Sequence, residues 1–174
     1  ICEGFEWDRT EGLGLTEAAL DEILARIPFN TGPRGMTAPM VPVPHLPAPE
    51  DEDISTQAAF GKILDALAKG DSALAQAIVT TSPDVTVSTN LGPWVNRRGL
   101  FARDVRADTF RDERVVSAQK WHFSPQGQHI ELGIAEMNLM LLLGAAGLSH
   151  ALFGRRLLPI GTLYDPFISR GLDA

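Results

Sequence analysis

Glu136 stands in "IELGIAEMNL" (130–139), at the head of an apolar run that continues to residue 153. An ionisable group is costly to bury in such surroundings. At a helix start the macrodipole favours a carboxylate. Desolvation acts the other way and raises the pKa. A carboxyl group under both influences is poised to exchange a proton near neutral pH. The alternative is a solvent-facing acid at a helix start.

Two aromatic residues, Tyr164 and Phe167, lie three apart and straddle the junction of a strand and a helix. Ligands sit at the ends of parallel strands, and flat rings there can hold a flat heterocycle. Core packing is the alternative. Asp84, in "TTSPDVTVST" (80–89), falls just past a predicted strand end, where an acid can reach a ligand or simply make a turn. The histidines His45, His122, His129 and His150 show no metal spacing, and no glycine-rich phosphate loop is present. The one cysteine, Cys2, makes neither an internal disulfide nor a zinc site. Such cysteine usage points to a reducing compartment, with the cytoplasm as default.

Several elements must position these groups. Residues 134–152 form the long apolar helix that Glu136 opens. The run 139–153 is shorter than the roughly 20 residues of a membrane span, and Gly144, Gly147, Ser149 and His150 interrupt it. "RRLLPIGTLY" (155–164) reads as a buried strand. "DPFISRGLDA" (165–174) reads as a helix capped by Asp165 with Pro166 at its first position.

Upstream, "LTEAALDEILARI" (15–27) has Leu15, Ala19, Leu20, Ile23, Leu24 and Ile27 on one helical face, with Thr16 as cap. Pro28, Pro33, Pro39, Pro42, Pro44, Pro47 and Pro49 exclude a continuous helix or central strand over 28–53, and an acidic stretch (50–53) closes this arm. Ser55 or Thr56 caps a second helix that ends at Gly70. "ALAQAIVTTSPDV" (73–85) passes from helix into a strand over 78–81. Gly92-Pro93 marks a loop, and the charged segment 97–115 carries no clear period.

The alternation of helix and strand predicts an α/β fold, a parallel sheet flanked by helices, with a Pro-rich N-terminal arm. The chain has 174 residues, enough for one domain with a core plus an arm. Its net charge of −7 and dispersed basic residues argue against nucleic acid or an anionic membrane as partner. Arg97-Arg98, the clearest basic pair, reads as a solvated loop. The start at Ile1 and the end at "GLDA" suggest a piece of a longer polypeptide.

Three segments, in order, resemble a known family. "QHIELGIAEMN" (128–138) resembles the opening of the catalytic helix in the pyrimidine-binding domain of thiamine diphosphate enzymes of the transketolase superfamily. "TTSPDVTVSTN" (80–90) resembles a segment near the start of that domain. "LLPIGTLYDPF" (157–167) resembles the strand whose rings pack on the cofactor's aminopyrimidine. The Glu136–Tyr164–Phe167 spacing is similar to that of the homodimeric first component of the pyruvate dehydrogenase complex, as are the arm and the helix after it.

The resemblance implies residues 1–53 as helix and linker arm, and 54–174 as a pyrimidine-binding domain truncated at its C-terminus. It implies Glu136 as the catalytic acid that hydrogen-bonds the 1′ ring nitrogen of the aminopyrimidine. Tyr164 and Phe167 carry over as pyrimidine-packing rings, and Asp84 as a cofactor-side residue. Ala135 and Met137 flank the glutamate where transketolases proper have a basic or aromatic neighbour, which favours a 2-oxo acid enzyme. The family's Gly-Asp-Gly motif for diphosphate and magnesium is absent, since Gly70-Asp71 follows a helix. Thiamine diphosphate and Mg2+ are therefore expected to meet their diphosphate and metal ligands on the diphosphate-binding domain of a second subunit. A 2-oxo acid such as pyruvate is the implied substrate, and a lipoyl-bearing acyltransferase the implied partner. A transketolase-like aldehyde transferase and a non-catalytic pyrimidine-domain module are the rival readings.

Overall fold

The computed structural model describes residues 9–31, 38–49, 53–107, 112–116 and 120–172. Cys2, Pro33 and most of the acidic stretch 50–53 lie outside the described residues.

Hydroxyl side chains set the helix starts. Thr16 Oγ1 accepts from the Ala19 N–H at 3.2 Å and opens α1 (Glu17–Ala25), with α2 (Pro28–Thr31) after it. Ser55 Oγ accepts from the Ala58 N–H at 3.1 Å and opens α3 (Thr56–Lys69), which closes at Gly70. Ser72 Oγ does the same for Ala75 at 3.2 Å and opens α4 (Ala73–Ala77). Each cap satisfies a backbone donor that the helix itself cannot. Ser55→Ala should therefore cost about 1 kcal/mol, read as a lower urea midpoint with an unchanged slope.

α4 runs directly into β1 (Ile78–Ser82). Then come α5 (Gly92–Arg98), β2 (Leu100–Phe101), β3 (Phe123–Ser124) and β4 (His129–Glu131). The chain continues through α6 (Glu136–Gly147), α7 (Ser149–Leu152), β5 (Leu158–Gly161) and a 3-10 helix (Asp165–Gly171). The five strands form one all-parallel sheet in the order β3-β2-β4-β1-β5. β1 lies centrally, with Thr80 opposite His129 on one side and Ile160 on the other. The predicted α/β class with a parallel sheet is what forms.

Helices cover both faces. Leu158 and Ile160 of β5 pack against a core of Leu64, Ala68, Leu74, Ile78, Leu91, Trp94, Val95 and Leu100, drawn largely from α3, α5 and the strands. Side chains alternate across a strand, so Gly161 faces the other way, toward Leu139 and Leu143 of α6. Asp65 of α3 ties that helix to α5 through Arg97 at 2.7 Å and also pairs with Lys69 at 3.0 Å. Gly127 admits the approach of β4 to β2: a Cβ there would fall 2.1 Å from the Leu100 carbonyl carbon.

Some expectations need correction. β2, β3 and β4 were not legible, because strands of two or three residues carry too little alternation to register as a period. Gly92-Pro93 begins α5 rather than a loop, with proline near the first turn where its missing N–H costs nothing. The segment 155–164 is strand only over Leu158–Gly161. The long apolar helix starts at Glu136 and breaks at Leu148 into α6 and α7. The last helix is 3-10; its cap residue is Tyr164, which makes no side-chain cap bond, and Asp165 is its first residue rather than its cap. α1 forms as expected, yet buries no residue, with Ile23 49% exposed.

Residues 38–49 contain neither helix nor strand. Ala38 is buried, Val41 packs on the core, and Arg156 donates to the Ala38 and Pro39 carbonyls, both at 3.3 Å. No helix among the described residues is long and apolar enough to cross a membrane.

Candidate functional site

Three parallel strands end at the same edge of the sheet, and the loops after them meet there. β1 is followed by Pro83-Asp84-Val85, β4 by Ile134 and Glu136, and β5 by Tyr164, Phe167 and Arg170. These eight residues line one cavity of about 310 Å³. Ligand sites in open parallel sheets form at this carboxyl edge. The four residues singled out in the sequence, Asp84, Glu136, Tyr164 and Phe167, are all among them.

Glu136 is the first residue of α6 and is only 6% exposed. Its Oε1 accepts from Arg170 Nη1 at 2.8 Å. The poise expected from burial is reversed. Its own backbone N–H and the Arg170 guanidinium hold the carboxyl below the usual carboxylate range, and together they outweigh desolvation. Arg170→Ala should accordingly move the Glu136 pKa upward, as read from its carboxyl carbon by NMR titration. An unmoved titration would show that the pair does not set the charge.

The aromatic pair owes its arrangement to the 3-10 helix. Three residues per turn eclipse positions i and i+3, so Tyr164, Phe167 and Arg170 share one face. The two rings lie 6.4 Å apart at 48°. The guanidinium carbon of Arg170 sits 4.2 Å from the Phe167 centroid. Tyr164 is 43% exposed, and its hydroxyl donates to Ser88 Oγ at 2.6 Å. Tyr164 is thus a cavity wall rather than core, while Phe167 is half-buried.

Asp84 has φ of 61°, in the left-handed region that non-glycine residues rarely adopt. Glu131 holds it there. Glu131 Oε1 accepts from the Asp84 N–H at 2.7 Å and from the Leu132 N–H at 3.2 Å. Glu131 Oε2 accepts from Thr86 Oγ1 at 2.6 Å and Ser82 Oγ at 3.3 Å. Beneath lies the fully buried His129, whose Nδ1 meets Thr80 Oγ1 at 2.9 Å and whose Nε2 meets Thr86 Oγ1 at 3.0 Å. Burial pushes the Glu131 pKa up. Hydrogen bonds from His129, Thr86 and the Asp84 amide pull harder, bringing it down to about 2.

Sequence reasoning missed Arg170, Glu131 and His129. Arg170 left a signal, since it continues the three-residue spacing of Tyr164 and Phe167. Glu131 and His129 alternate on one strand face, but that strand was too short to recognise. The four histidines gather no metal set: among the described residues no group of three His, Cys, Asp or Glu could hold an ion. Chemically, the cavity offers two carboxylates, Asp84 and the buried Glu136, and two tilted rings, with the Arg170 guanidinium paired to Glu136. That set suits a flat heterocycle with a nitrogen able to hydrogen-bond a carboxyl group. Comparison with protein-family models, curated proteins and solved structures finds no match to the chain.

Proposed function

We propose that the chain is the pyrimidine-binding part of a thiamine diphosphate-dependent enzyme that decarboxylates a 2-oxo acid, pyruvate foremost, and delivers the acyl group to a lipoyl-bearing partner. The observation that carries this reading is convergence. Glu136, Tyr164, Phe167 and Asp84, spread over 84 to 167 in sequence, line a single cavity at the carboxyl edge of a parallel sheet. The donor set fits the aminopyrimidine end of the cofactor, whose flat ring bears nitrogens on its rim.

When bound, the cofactor supplies the carbanion and electron sink that decarboxylation requires. The chain's own residues bind and orient it. Tyr164 and Phe167 would pack against the ring. Glu136, 6% exposed, would share a proton with a ring nitrogen, and its low exposure would strengthen that bond. Asp84, held by Glu131 through its N–H, also lines the cavity. Diphosphate and Mg2+ are assigned to a second subunit's diphosphate-binding domain.

The test is an amide-shift NMR titration of the chain with 4-amino-5-hydroxymethyl-2-methylpyrimidine at millimolar concentration. Shifts should cluster at Asp84, Glu136, Tyr164 and Phe167, and Phe167→Ala should weaken them. Shifts elsewhere, or none, would overturn the reading.

A further inference from the structure

The guanidinium of Arg170 makes two contacts at once: 2.8 Å to the Glu136 carboxylate and 4.2 Å to the Phe167 centroid. Those are the two features a flat nitrogen heterocycle would use here. A guanidinium is itself flat, carries N–H donors on its rim and stacks on aromatic rings. Building on the aminopyrimidine reading, we propose that Arg170 is a competitor built into the site. It holds the carboxylate and the ring face that the heterocycle needs, and it must swing out when the heterocycle enters.

The surroundings suit such a motion. The Arg170 side chain is 51% exposed, so it can rotate into solvent, and what it leaves are the two groups the heterocycle would cover, Glu136 and Phe167. The backbone that carries it is held in place. Gly171 lies so close to α6 that a Cβ there would fall 2.3 Å from Met140 Cγ. The 3-10 helix therefore stays seated on α6 while the long side chain moves.

Exchange of this kind selects among ligands. Displacing Arg170 costs Glu136 its charge-assisted hydrogen bond, a loss that a newcomer offsets only if it hydrogen-bonds the carboxyl group. A flat hydrocarbon cannot do so. A simple amine can, but forfeits the ring face. Only a flat ligand with a rim nitrogen replaces both contacts, so Arg170 determines specificity by what must be restored.

The test uses the same pyrimidine probe with the wild-type chain, Arg170→Met and Arg170→Lys. Methionine keeps the length of the side chain but removes the ion pair and the flat cation. Arg170→Met should tighten binding by about tenfold, because the fraction of sites open to the probe rises. Arg170→Lys, which keeps the charge and loses the stack, should fall between. Binding by the wild type that is unchanged or weaker in Arg170→Met would overturn the inference alone, since Arg170 would then be part of the binding site. Absence of binding to all three proteins would overturn the aminopyrimidine reading and this inference with it.

Discussion

Glu131→Ala should destabilise the fold by about 2–3 kcal/mol near neutral pH. The carboxylate accepts four hydrogen bonds, from Thr86, Asp84, Leu132 and Ser82, and sits over the buried His129. Removing it leaves the Asp84 and Leu132 N–H groups without this acceptor, while Ser82 and Thr86 keep only each other and His129 as partners. The loss also has a defined pH range. With a folded pKa of about 2 against an ordinary 4.5, the carboxylate binds its proton less readily in the folded chain. Its contribution is complete above the unfolded value and disappears as pH falls from there through about 2. The shift corresponds to at most roughly 3 kcal/mol, lowered to about 2–3 by partial exposure. Urea unfolding of wild type and Glu131→Gln across about pH 2–7 checks this. The glutamine variant should lose stability at neutral pH and show a flatter acid limb. An acid limb as steep as the wild type's would mean that another group carries it.

The second large effect falls on turnover. On the proposed thiamine diphosphate reading, Glu136→Ala in the enzyme that contains this chain should reduce kcat by about 10²–10⁴-fold, the range for a residue that handles a proton in the chemistry. The fold should survive, because Arg170 faces solvent over half its side chain and tolerates the loss of its partner. Thermal melting within a few degrees of wild type, together with the fall in kcat, would separate chemistry from unfolding. Glu136→Gln keeps the shape and a hydrogen-bonding tip but cannot exchange the proton, so its kcat should stay low. Turnover near wild type in either variant would remove Glu136 from the catalytic role.

These two glutamates differ in how visible they were. Glu136 was legible because it interrupts an apolar run, and a charge in such a place needs a reason. Tyr164 and Phe167 were legible as rings at a strand-to-helix junction, and Asp84 as an acid just past a strand. Glu131 sits only five residues before Glu136, yet nothing local marks it. Its partners come from β1 and the loop after it, some 45 or more positions earlier. His129 was seen only as one of four histidines without metal spacing, since its role depends on hydroxyls that the sheet register brings to it.

By itself the sequence determined the alternation of helix and strand, the hydroxyl cap at Thr16, the pair Ser55 and Thr56 from which the structure takes Ser55 as the next cap, and the residues able to do chemistry. Those are local properties, set by side-chain period, capping and backbone restriction within a few residues. Only the tertiary structure decided that the four candidate residues share one cavity, because parallel strand order brings the ends of β1, β4 and β5 together. It also completed what sets the charge of Glu136. Burial alone would have raised its pKa, but the 3-10 turn places Arg170 on the same face as Phe167 and close enough to pair with the carboxylate. The helix start supplies the larger part, since the residue's own backbone N–H lowers the pKa most, and the fold adds Arg170, which the sequence alone could not bring to it.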